Sequence, residues 1–319
     1  MPAISPSVLI VRLDAIGDAL ALTPLIAALR ERGASVDAVL NLGNSYAFSQ
    51  RALDRVFIAG AADLAHGLAE QHYTHALIAT EDARGYRIAR DGGIPKRVGF
   101  QNGWGKPLKS LWARTICTST VYRPAGLDPR GPHECDVLYE LGRSILGPLA
   151  RPSRDADVLR PLVINDEPVP DERVSLQITS KWLRLGATLE QLVELAGSAG
   201  SLREVRLLGA HAEGDFLDTF ERASGARVER FADLPPWKSA IAAAALLIAP
   251  DSGALHVAGM TGTPVVACFE AIPKFDLQTA RWAPWAGRSA IVKLEDAWPS
   301  MAVTSAAALL TDRRAIDRA

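Results

Sequence analysis

The sequence predicts an α/β protein built from two doubly wound, Rossmann-like halves with a cleft between them. Short apolar runs, typical of central parallel strands, alternate with segments whose apolar residues recur at helical spacing. The alternation occurs twice, on either side of a proline-rich stretch, which predicts two parallel sheets. The chain has 319 residues and 48% of them are hydrophobic, so two cores of ordinary size can be filled.

The first half begins with a strand expected at 8–11, the apolar run VLIV. A polar turn at 12–18 follows, and a helix then extends to about residue 32, where basic residues and Gly33 end it. Later strands of this half are expected at 36–40 and 75–79.

Residues 149–171 interrupt this pattern with prolines and acidic residues, and we interpret them as an interdomain linker containing a strand near 158–163. We therefore place the domains at 1–152 and 153–319, with the last helix a candidate to pack back on the first domain. Elements of the second half are expected as strands at 174–178, 205–208, 246–249 and 264–269, and a helix at 189–195.

Composition excludes several classes of protein. The net charge is -1, whereas a nucleic-acid-binding protein normally carries a basic excess, so no nucleic-acid partner is expected. The three cysteines are far apart, which argues against a disulfide framework or a zinc site and fits a reducing cytoplasm. Residues 1–7 lack the basic region of a signal peptide, and the longest apolar run, around 241–249, is shorter than the roughly 20 residues that span a bilayer. We expect a cytoplasmic protein, and the sequence does not exclude peripheral contact with a membrane.

The turn at 12–18, RLDAIGD, is the first candidate site. It follows a strand, and ligands of open α/β sheets bind at the carboxyl ends of strands. Gly17 permits a tight backbone there, and the carboxylate of Asp18 either caps the helix or faces the cleft. The spacing leaves both interpretations open. The turn is not G-x-G-x-x-G, so a nicotinamide site is poorly supported.

The second candidate site is the strand, turn and helix at 248–258. Free N–H groups around Gly253 form an anion site at the start of a helix, which suits a diphosphate. Asp251 is suited to accept hydrogen bonds from sugar hydroxyls. The alternative is that Asp251 or Ser252 only caps the helix and that His256 is a satisfied helical histidine, which is the favoured interpretation for His256.

The third is Thr179-Ser180-Lys181-Trp182, after the first strand of the second half. The ammonium group of Lys181 could neutralise charge that develops on a departing phosphate. The alternative is an ordinary solvated lysine.

Two passages together resemble one family, the ADP-heptose:lipopolysaccharide heptosyltransferases of glycosyltransferase family 9. Residues 11–18, running on to Thr-Pro-Leu at 23–25, resemble its N-terminal signature. Residues 250–258 (PDSGALHVA), followed by 262–266 (GTPVV), resemble its C-terminal signature. The likeness also includes the Lys-Trp pair at 181–182 and LLGA at 207–210.

This resemblance implies a GT-B fold, with the acceptor on the N-terminal half and the nucleotide sugar on the C-terminal half. It implies an inverting, metal-independent heptosyl transfer in lipopolysaccharide biosynthesis, with an ADP-sugar as co-substrate and no cofactor. Asp155-Ala156-Asp157 has the D-x-D form of metal-using glycosyltransferases, but it lies at the linker, and no metal site is expected.

Carried over by position, the resemblance makes Asp18 the catalytic base, Lys181 the donor-phosphate lysine and Asp251 the sugar-binding aspartate. Inversion needs a base that removes the proton of the acceptor hydroxyl, which a carboxylate can do. The remaining expected donor-binding residues are Thr179, Ser180, Glu213, Ser252, Gly253, Leu255 and His256, with Glu213 near the ribose. Gly17 is expected on the acceptor side.

The sequence departs from the family in two places. Residues 176–180 contain no glycine before Lys181, where the family has one, and the Lys-Trp spacing is one residue shorter. Glu270 stands where the family commonly has glycine. The exact phosphate contacts and the donor sugar therefore stay open.

The expected acceptor is an anionic glycan or a lipid-linked glycan. Basic residues are concentrated at 84–109, and we assign Arg84, Arg87 and Arg97 to the acceptor or to a membrane surface. A solvated face is the alternative. Trp104 and Trp112 are expected to be buried, with stacking on a sugar as the alternative.

Other functions remain open at this point. The same fold could use another nucleotide sugar or an acceptor unrelated to lipopolysaccharide. A protein of another class, a catalytically silent nucleotide-binding protein, is the third hypothesis.

Overall fold

The structure is a computed structural model that describes residues 5–124 and 131–316. Residues 1–4, part of the segment assessed above for a signal peptide, lie outside the described residues. The chain forms two compact units. Unit 1 comprises Met1–Arg154 and Pro161–Asn165, and unit 2 comprises Asp155–Arg160 and Asp166–Ala319. Each contains a parallel six-stranded sheet with flanking helices, so the predicted α/β class is confirmed.

Unit 1 has the strand order β3-β2-β1-β4-β5-β6. Its elements are β1 (Ser7–Arg12), α1 (Ile16–Leu20), α2 (Thr23–Glu31), β2 (Ser35–Leu40), β3 (Arg55–Ile58), α3 (Leu64–Ala69), β4 (His75–Ile78), α4 (Ala83–Asp91), β5 (Lys96–Gln101), α5 (Pro107–Ile116), β6 (Ser119–Tyr122), α6 (Glu134–Tyr139) and α7 (Arg143–Leu146).

Unit 2 repeats this topology, with the strand order β9-β8-β7-β10-β11-β12. Its elements are α8 (Ala156–Leu159), β7 (Asp171–Ile178), α9 (Lys181–Arg184), α10 (Leu189–Ala199), β8 (Val205–Ala210), α11 (Gly214–Ser224), β9 (Glu229–Phe231), α12 (Leu234–Ala243), β10 (Ala244–Pro250), α13 (Gly253–Thr261), β11 (Val265–Phe269), α14 (Phe275–Trp282), β12 (Ser289–Lys293) and α15 (Trp298–Ile316).

The strand order of each sheet places a switch point beside its first strand. In unit 1 the chain moves outward from β1 to β3 and then returns to β4 on the other side of β1. In unit 2 it does the same around β7 and β10. The loops after the two central strands diverge at such a point and leave a crevice in which ligands bind. Each unit therefore offers one preferred binding edge.

The core of unit 2 holds the loop after β7 in place. Trp182 is fully buried, and its indole Nε1 donates to the carbonyl of Gln177 at 2.8 Å. Its ring stacks on that of Trp298, with centroids 5.0 Å apart. Trp298 begins α15, which packs against α10 and the strands β10, β11 and β12 of its own unit. The position of Lys181, next to Trp182, is thereby fixed at the start of α9.

The strand expected near 158–163 is wrong. That segment forms α8 and a 3-10 turn at Arg160–Leu162. Asp155 begins α8 as its N-cap, accepting from the backbone N–H of Asp157 at 3.0 Å, so the D-x-D sequence has a structural role here. Arg160 donates to the carbonyls of Ala242 at 3.1 Å and Thr261 at 2.8 Å, in the last turns of α12 and α13. Helix C-termini favour such a cation because their last carbonyls lack intrahelical partners.

Among the described helices, none is both long and apolar enough to cross a membrane.

Candidate active site

Asp18 lies at the switch point of unit 1, directly after β1. It is the third residue of α1, and its Oδ2 accepts from the N–H of Ala15 at 3.2 Å. Its Oδ1 accepts from Nη2 of Arg12 at 2.8 Å. The carboxylate is held by the start of the helix, as one interpretation of the sequence proposed, yet 27% of the side chain is exposed. It can therefore be reached by a ligand.

Arg12 holds Asp18 from inside the protein. It is 1% exposed, and its guanidinium also donates to the carbonyl of Ala79, beyond the end of β4. Asp14 lies 3.2 Å and Glu134 3.7 Å from it. Burial raises the pKa of Asp18 above its ordinary value; Arg12 opposes this rise, while Asp14 and Glu134 add to it. A raised pKa makes a carboxylate a stronger general base near neutral pH.

A second charged group continues along the same edge of the sheet. Arg123 donates to both oxygens of the fully buried Glu134, at 2.9 and 3.1 Å, and to Glu81 at 3.3 Å. Lys106 and Lys109 converge on the other oxygen of Glu81, at 2.7 and 2.8 Å. Burial alone would raise the pKa of Glu81, but these lysines and Asn102 outweigh it and lower the pKa to about 2.

The expected acceptor arginines do not gather around Asp18. Arg84 lies in the first turn of α4, where its side chain bonds to Asp82 and is 63% exposed. Arg87 lies one turn further and lines a shallow groove with Leu64, Leu68 and Ile88.

Arg97 does not join this edge. It is the second residue of β5 and pairs with Ala76 of β4, toward the opposite end of the sheet. Its Nε donates to the carbonyl of Ile116 at 2.7 Å and its Nη1 to that of Ile94 at 2.5 Å. Its guanidinium thus supports backbone turns.

Sequence reasoning missed four charged residues of this edge: Arg12, Glu81, Arg123 and Glu134. Arg12 ends β1 and Glu81 follows β4 by three residues, so the rule that ligands bind at strand carboxyl ends could have found both. Arg123 and Glu134 carry no such signal, because their contact with the site depends on tertiary packing. Gly17, expected nearby, is buried within α1.

In unit 2, Glu213 joins the loop after β7 to the loop after β8. Its Oε1 accepts from Thr179 Oγ1 at 3.1 Å, from the N–H of Ser180 at 3.0 Å and from Ser180 Oγ at 2.5 Å. Three of the expected donor-side residues are therefore brought together. The carboxylate fixes the backbone just before Lys181.

Asp251 follows β10, on the other side of the switch point. Its Oδ2 accepts from Nε2 of Gln278 at 2.9 Å and lies 3.9 Å from Nζ of Lys181. The predicted Lys181 and Asp251 thus come together, although neither adjoins the other in sequence. The lysine side chain is 32% exposed.

Ser252 is the N-cap of α13 without a side-chain capping bond. Its Oγ is buried and has no hydrogen-bond partner among the described residues, and the same holds for Oε1 of Gln278. Buried polar atoms are normally paired, so these two atoms are suited to a ligand's polar groups. The adjacent start of α13 at Gly253 adds the favourable end of a helix dipole.

Leu255 and His256 lie deeper in α13. Leu255 is fully buried and its N–H donates to the carbonyl of Ser252 at 3.1 Å, which leaves that donor occupied within the turn. His256 is 5% exposed and its ring meets that of Trp282 edge-on, with centroids 5.8 Å apart. This placement agrees with the interpretation of His256 as a core histidine. Glu270 directly follows β11, at the same edge of the sheet as Asp251.

Comparisons with family models and with curated proteins found no match. Solved structures do match along nearly the whole chain. A family 9 glycosyltransferase from Veillonella parvula has a TM-score of 0.74 at 16% identity, covering 98% of this chain and 99% of that one. The ADP-heptose heptosyltransferase II of E. coli has a TM-score of 0.72 at 16% identity, covering 97% and 99%. The E. coli heptosyltransferase WaaC, solved with ADP-2-deoxy-2-fluoro heptose, has a TM-score of 0.66 at 14% identity, covering 98% and 100%.

The protein has the GT-B fold. The predicted fold class is thereby confirmed, and its structural neighbours belong to the family that the two sequence passages resemble. At this level of identity the likeness establishes the fold, and function has to be argued from the site.

Proposed function

We propose that the protein is an inverting, metal-independent glycosyltransferase that moves a heptose-like sugar from an ADP-sugar to a glycan acceptor. One observation carries the proposal: in a GT-B fold, both switch points hold the groups that this reaction needs. Unit 1 presents a partly exposed carboxylate with a raised pKa. Unit 2 presents a lysine and a helix start whose serine hydroxyl has no partner within residues 5–124 and 131–316.

On the acceptor side, Asp18 is the general base. It removes the proton of the attacking hydroxyl as the bond to the anomeric carbon forms, a contribution of roughly 10²- to 10⁴-fold in rate. Because Oδ1 is held by Arg12 and Oδ2 by a weaker bond to Ala15, Oδ2 is the oxygen more available to that hydroxyl. Arg12 is a positioning residue, since it touches Asp18 and is itself buried.

On the donor side, the helix start and Lys181 hold the diphosphate. Ser252 Oγ and the first N–H groups of α13 donate to phosphate oxygens. Lys181 stabilises the charge that develops as the nucleoside diphosphate leaves. Asp251, already turned toward Lys181 and Gln278, accepts hydrogen bonds from sugar hydroxyls. Glu213 binds the ribose.

The proposal includes no cofactor and no metal, since Lys181 and the helix start supply the positive charge that the leaving group requires. The acceptor is a glycan or a lipid-linked glycan of the lipopolysaccharide-core kind, met at the cytoplasmic face of the inner membrane. Two of the neighbouring structures support an ADP-sugar donor: one is named as an ADP-heptose heptosyltransferase, and the other was solved with ADP-2-deoxy-2-fluoro heptose.

Two measurements test this function. Calorimetric titration with ADP, UDP and GDP should show preference for ADP. Release of ADP from ADP-heptose, with a panel of core-type glycans, should depend on acceptor and should fall in Asp18→Asn while ADP binding persists. Tight ADP binding without turnover by any acceptor, together with intact cellular function of Asp18→Asn, would favour the catalytically silent nucleotide-binding protein.

A related transferase with another donor is the second candidate. Glu270 at the donor edge and the absence of glycine before Lys181 both favour a changed donor pocket. Preference for UDP or GDP in the same titration would select it.

A further inference from the structure

We infer that an exposed apolar face next to the candidate acceptor edge docks onto a bilayer containing anionic lipids. The face consists of Trp104, Leu108, Leu111 and Tyr122, and we call it the α5 surface. Its four side chains are 95%, 83%, 65% and 62% exposed, respectively. The expected burial of Trp104 is therefore wrong, whereas Trp112 is half-buried against Tyr86.

The helix α5 has two faces. Ser110, Ala113 and Ile116 point inward and are buried. Leu108 and Leu111, spaced three residues apart, share the outward side. Leucines at such positions contribute nothing to the core, so the fold does not require them to be apolar. An exposed apolar face of this kind marks an interaction site.

Trp104 and Tyr122 extend the same face beyond the helix. Trp104 lies in the turn that precedes α5, and Ser110 Oγ donates to carbonyls of that turn, to Lys106 at 2.9 Å and Gly103 at 3.2 Å. The ring of Tyr122 lies 3.4 Å from the position that a Cβ of Gly103 would occupy. The turn that carries Trp104 is thus tied to α5, and Tyr122, the last residue of β6, lies against the same turn.

The basic residues around the α5 surface favour an anionic membrane as its partner. Residues 102–124, which include all four side chains of the α5 surface, contain four Lys or Arg and no Asp or Glu, in a chain whose net charge is -1. Of these basic residues, Lys106 is paired with Glu81 at 2.7 Å but is 44% exposed. Arg114 bonds to the neutral amide oxygen of Gln101, at 2.9 and 2.5 Å, which does not offset its charge. A basic surface with tryptophan and leucine is typical of segments that lie in the headgroup region of an anionic membrane.

A second copy of the chain fits this surface less well. A two-fold symmetric contact would bring the same basic patch of both copies together, and like charges at an interface repel. Tryptophan and tyrosine are also the side chains enriched at the membrane–water boundary, because each has an apolar ring and a polar group.

The location of the α5 surface suggests what membrane docking achieves, and this part of the inference rests on the proposed function. α5 follows β5, whose carboxyl end lies on the edge that holds Asp18 and Glu81. A bilayer against the α5 surface would therefore bring a lipid-linked acceptor to the unit whose strand edge carries the proposed base. Docking itself is independent of catalysis and can be measured alone.

The test is flotation of the full chain with vesicles of phosphatidylcholine, with and without about 30% phosphatidylglycerol, at low and high salt. We expect binding to the anionic vesicles that weakens with salt. The variant Trp104→Ser/Leu108→Ser/Leu111→Ser should lose on the order of tenfold or more in partitioning, since binding scales with buried apolar area. The matched control, Leu149→Ser/Val169→Ser, removes two side chains that are 87% and 85% exposed elsewhere, and should bind like the parent.

Two outcomes would overturn the inference: no flotation of the parent protein at low salt, or equal flotation of the parent and the triple variant. If the triple substitution also converts a parent dimer to a monomer, the second outcome would assign the surface to a second copy of the chain. Thermal unfolding establishes that the triple variant is folded. Titration with ADP tests the proposed function without vesicles. A failure of membrane binding can therefore be distinguished from a failure of the proposed function.

Discussion

Nη2 of Arg12 lies 2.8 Å from Oδ1 of Asp18, and the arginine is buried while 27% of the aspartate side chain is exposed. Arg12 is held in turn by the carbonyl of Ala79, so the ion pair joins the ends of β1 and β4. Two opposing effects act on Asp18, because burial disfavours its charge and Arg12 favours it. The effect of burial is the larger, so the Asp18 carboxylate is partly exposed, held in place and has a higher pKa than an ordinary aspartate.

Asp18→Asn should lower turnover by roughly 10²- to 10⁴-fold and leave ADP affinity unchanged. Its fold should be no less stable at neutral pH. The raised pKa of Asp18 means that its contribution to stability is present below the ordinary pKa and is lost as pH rises through the raised value. The asparagine side chain does not ionise, so the variant avoids this loss of stability at neutral pH. Arg12 still has two carboxylates nearby, those of Asp14 and Glu134. Rate assays measure turnover, titration measures ADP affinity, and thermal unfolding measures stability. Weakened ADP binding would contradict the proposal that Asp18 acts on the acceptor side only.

Arg12→Gln should shift the acid limb of kcat/KM to higher pH. Arg12 lowers the pKa of Asp18, so its removal raises that pKa further and more of the base is protonated at a given pH. Arg12→Lys keeps the positive charge and is the matched control. The acid limb of its kcat/KM profile should lie near that of the parent. A pH profile of each variant checks this. Equal profiles for glutamine and lysine would show that Arg12 acts through packing alone.

Glu213→Gln should weaken ADP binding by about 10- to 100-fold, since hydrogen bonds to a charged group contribute about 1.5 to 3 kcal/mol. The amide keeps an oxygen for Thr179 and Ser180, so the loop before Lys181 should keep its shape. Glu190→Gln on α10 is the control in the same unit, and should bind like the parent. Titration of parent and variant with ADP and with its 2′,3′-dideoxy analogue measures how much the ribose hydroxyls contribute to affinity. If the substitution weakens the binding of both ligands equally, Glu213 does not contact the ribose.

Gly259→Ala should lower the free energy of unfolding by about 1 to 3 kcal/mol, the usual penalty for overpacking. An added Cβ in α13 would lie 2.9 Å from the backbone nitrogen of Trp285, which cannot move aside as a flexible side chain can. Gly197→Ala in α10 meets nothing within 4 Å and should be neutral or stabilising by up to about 1 kcal/mol. Urea denaturation of both variants checks the pair. Equal stabilities would mean that α13 tolerates displacement.

Glu81→Gln should destabilise the protein at neutral pH, and the difference from the parent should disappear in acid. The pKa of Glu81 is lowered to about 2, so its contribution is present above the ordinary value near 4.5 and is lost as pH falls from there to about 2. Glu70→Gln, which removes an exposed carboxylate paired only with His66 in a surface contact, is the control. Denaturation at several pH values measures the difference in stability. A difference at pH 2 as large as that at neutral pH would contradict this account.

The central strands were predictable and the edge strands were not. Strands β1, β2, β4, β7, β8, β10 and β11 all correspond to apolar runs, because both faces of an interior parallel strand are covered. The four missed edge strands, β3, β6, β9 and β12, are partly exposed and read as mixed sequence. β5 was also missed, since Lys96 and Arg97 at its start conceal the apolar part that follows.

The positions of the candidate site residues were predictable where a residue lies in the loop that directly follows a strand. Asp18, Lys181 and Asp251 each follow a central strand within a few residues, so the rule for parallel sheets located them. Glu134 lies in a helix more than 100 residues from Arg12 and reaches it only in the folded chain. Trp104 was expected to be buried because large aromatic side chains usually are, and its exposure depends on which face of α5 meets the sheet.

The connection through residues 155–165 alternates between the units. Arg160 completes the ends of α12 and α13 in unit 2, while the next residues belong to unit 1, where Ser49 bonds to the carbonyls of Pro161 and Leu162. No single cut of the chain therefore yields both units intact. Cleavage after Arg154 deprives unit 1 of 161–165, and cleavage after Asn165 deprives α12 and α13 of their shared guanidinium.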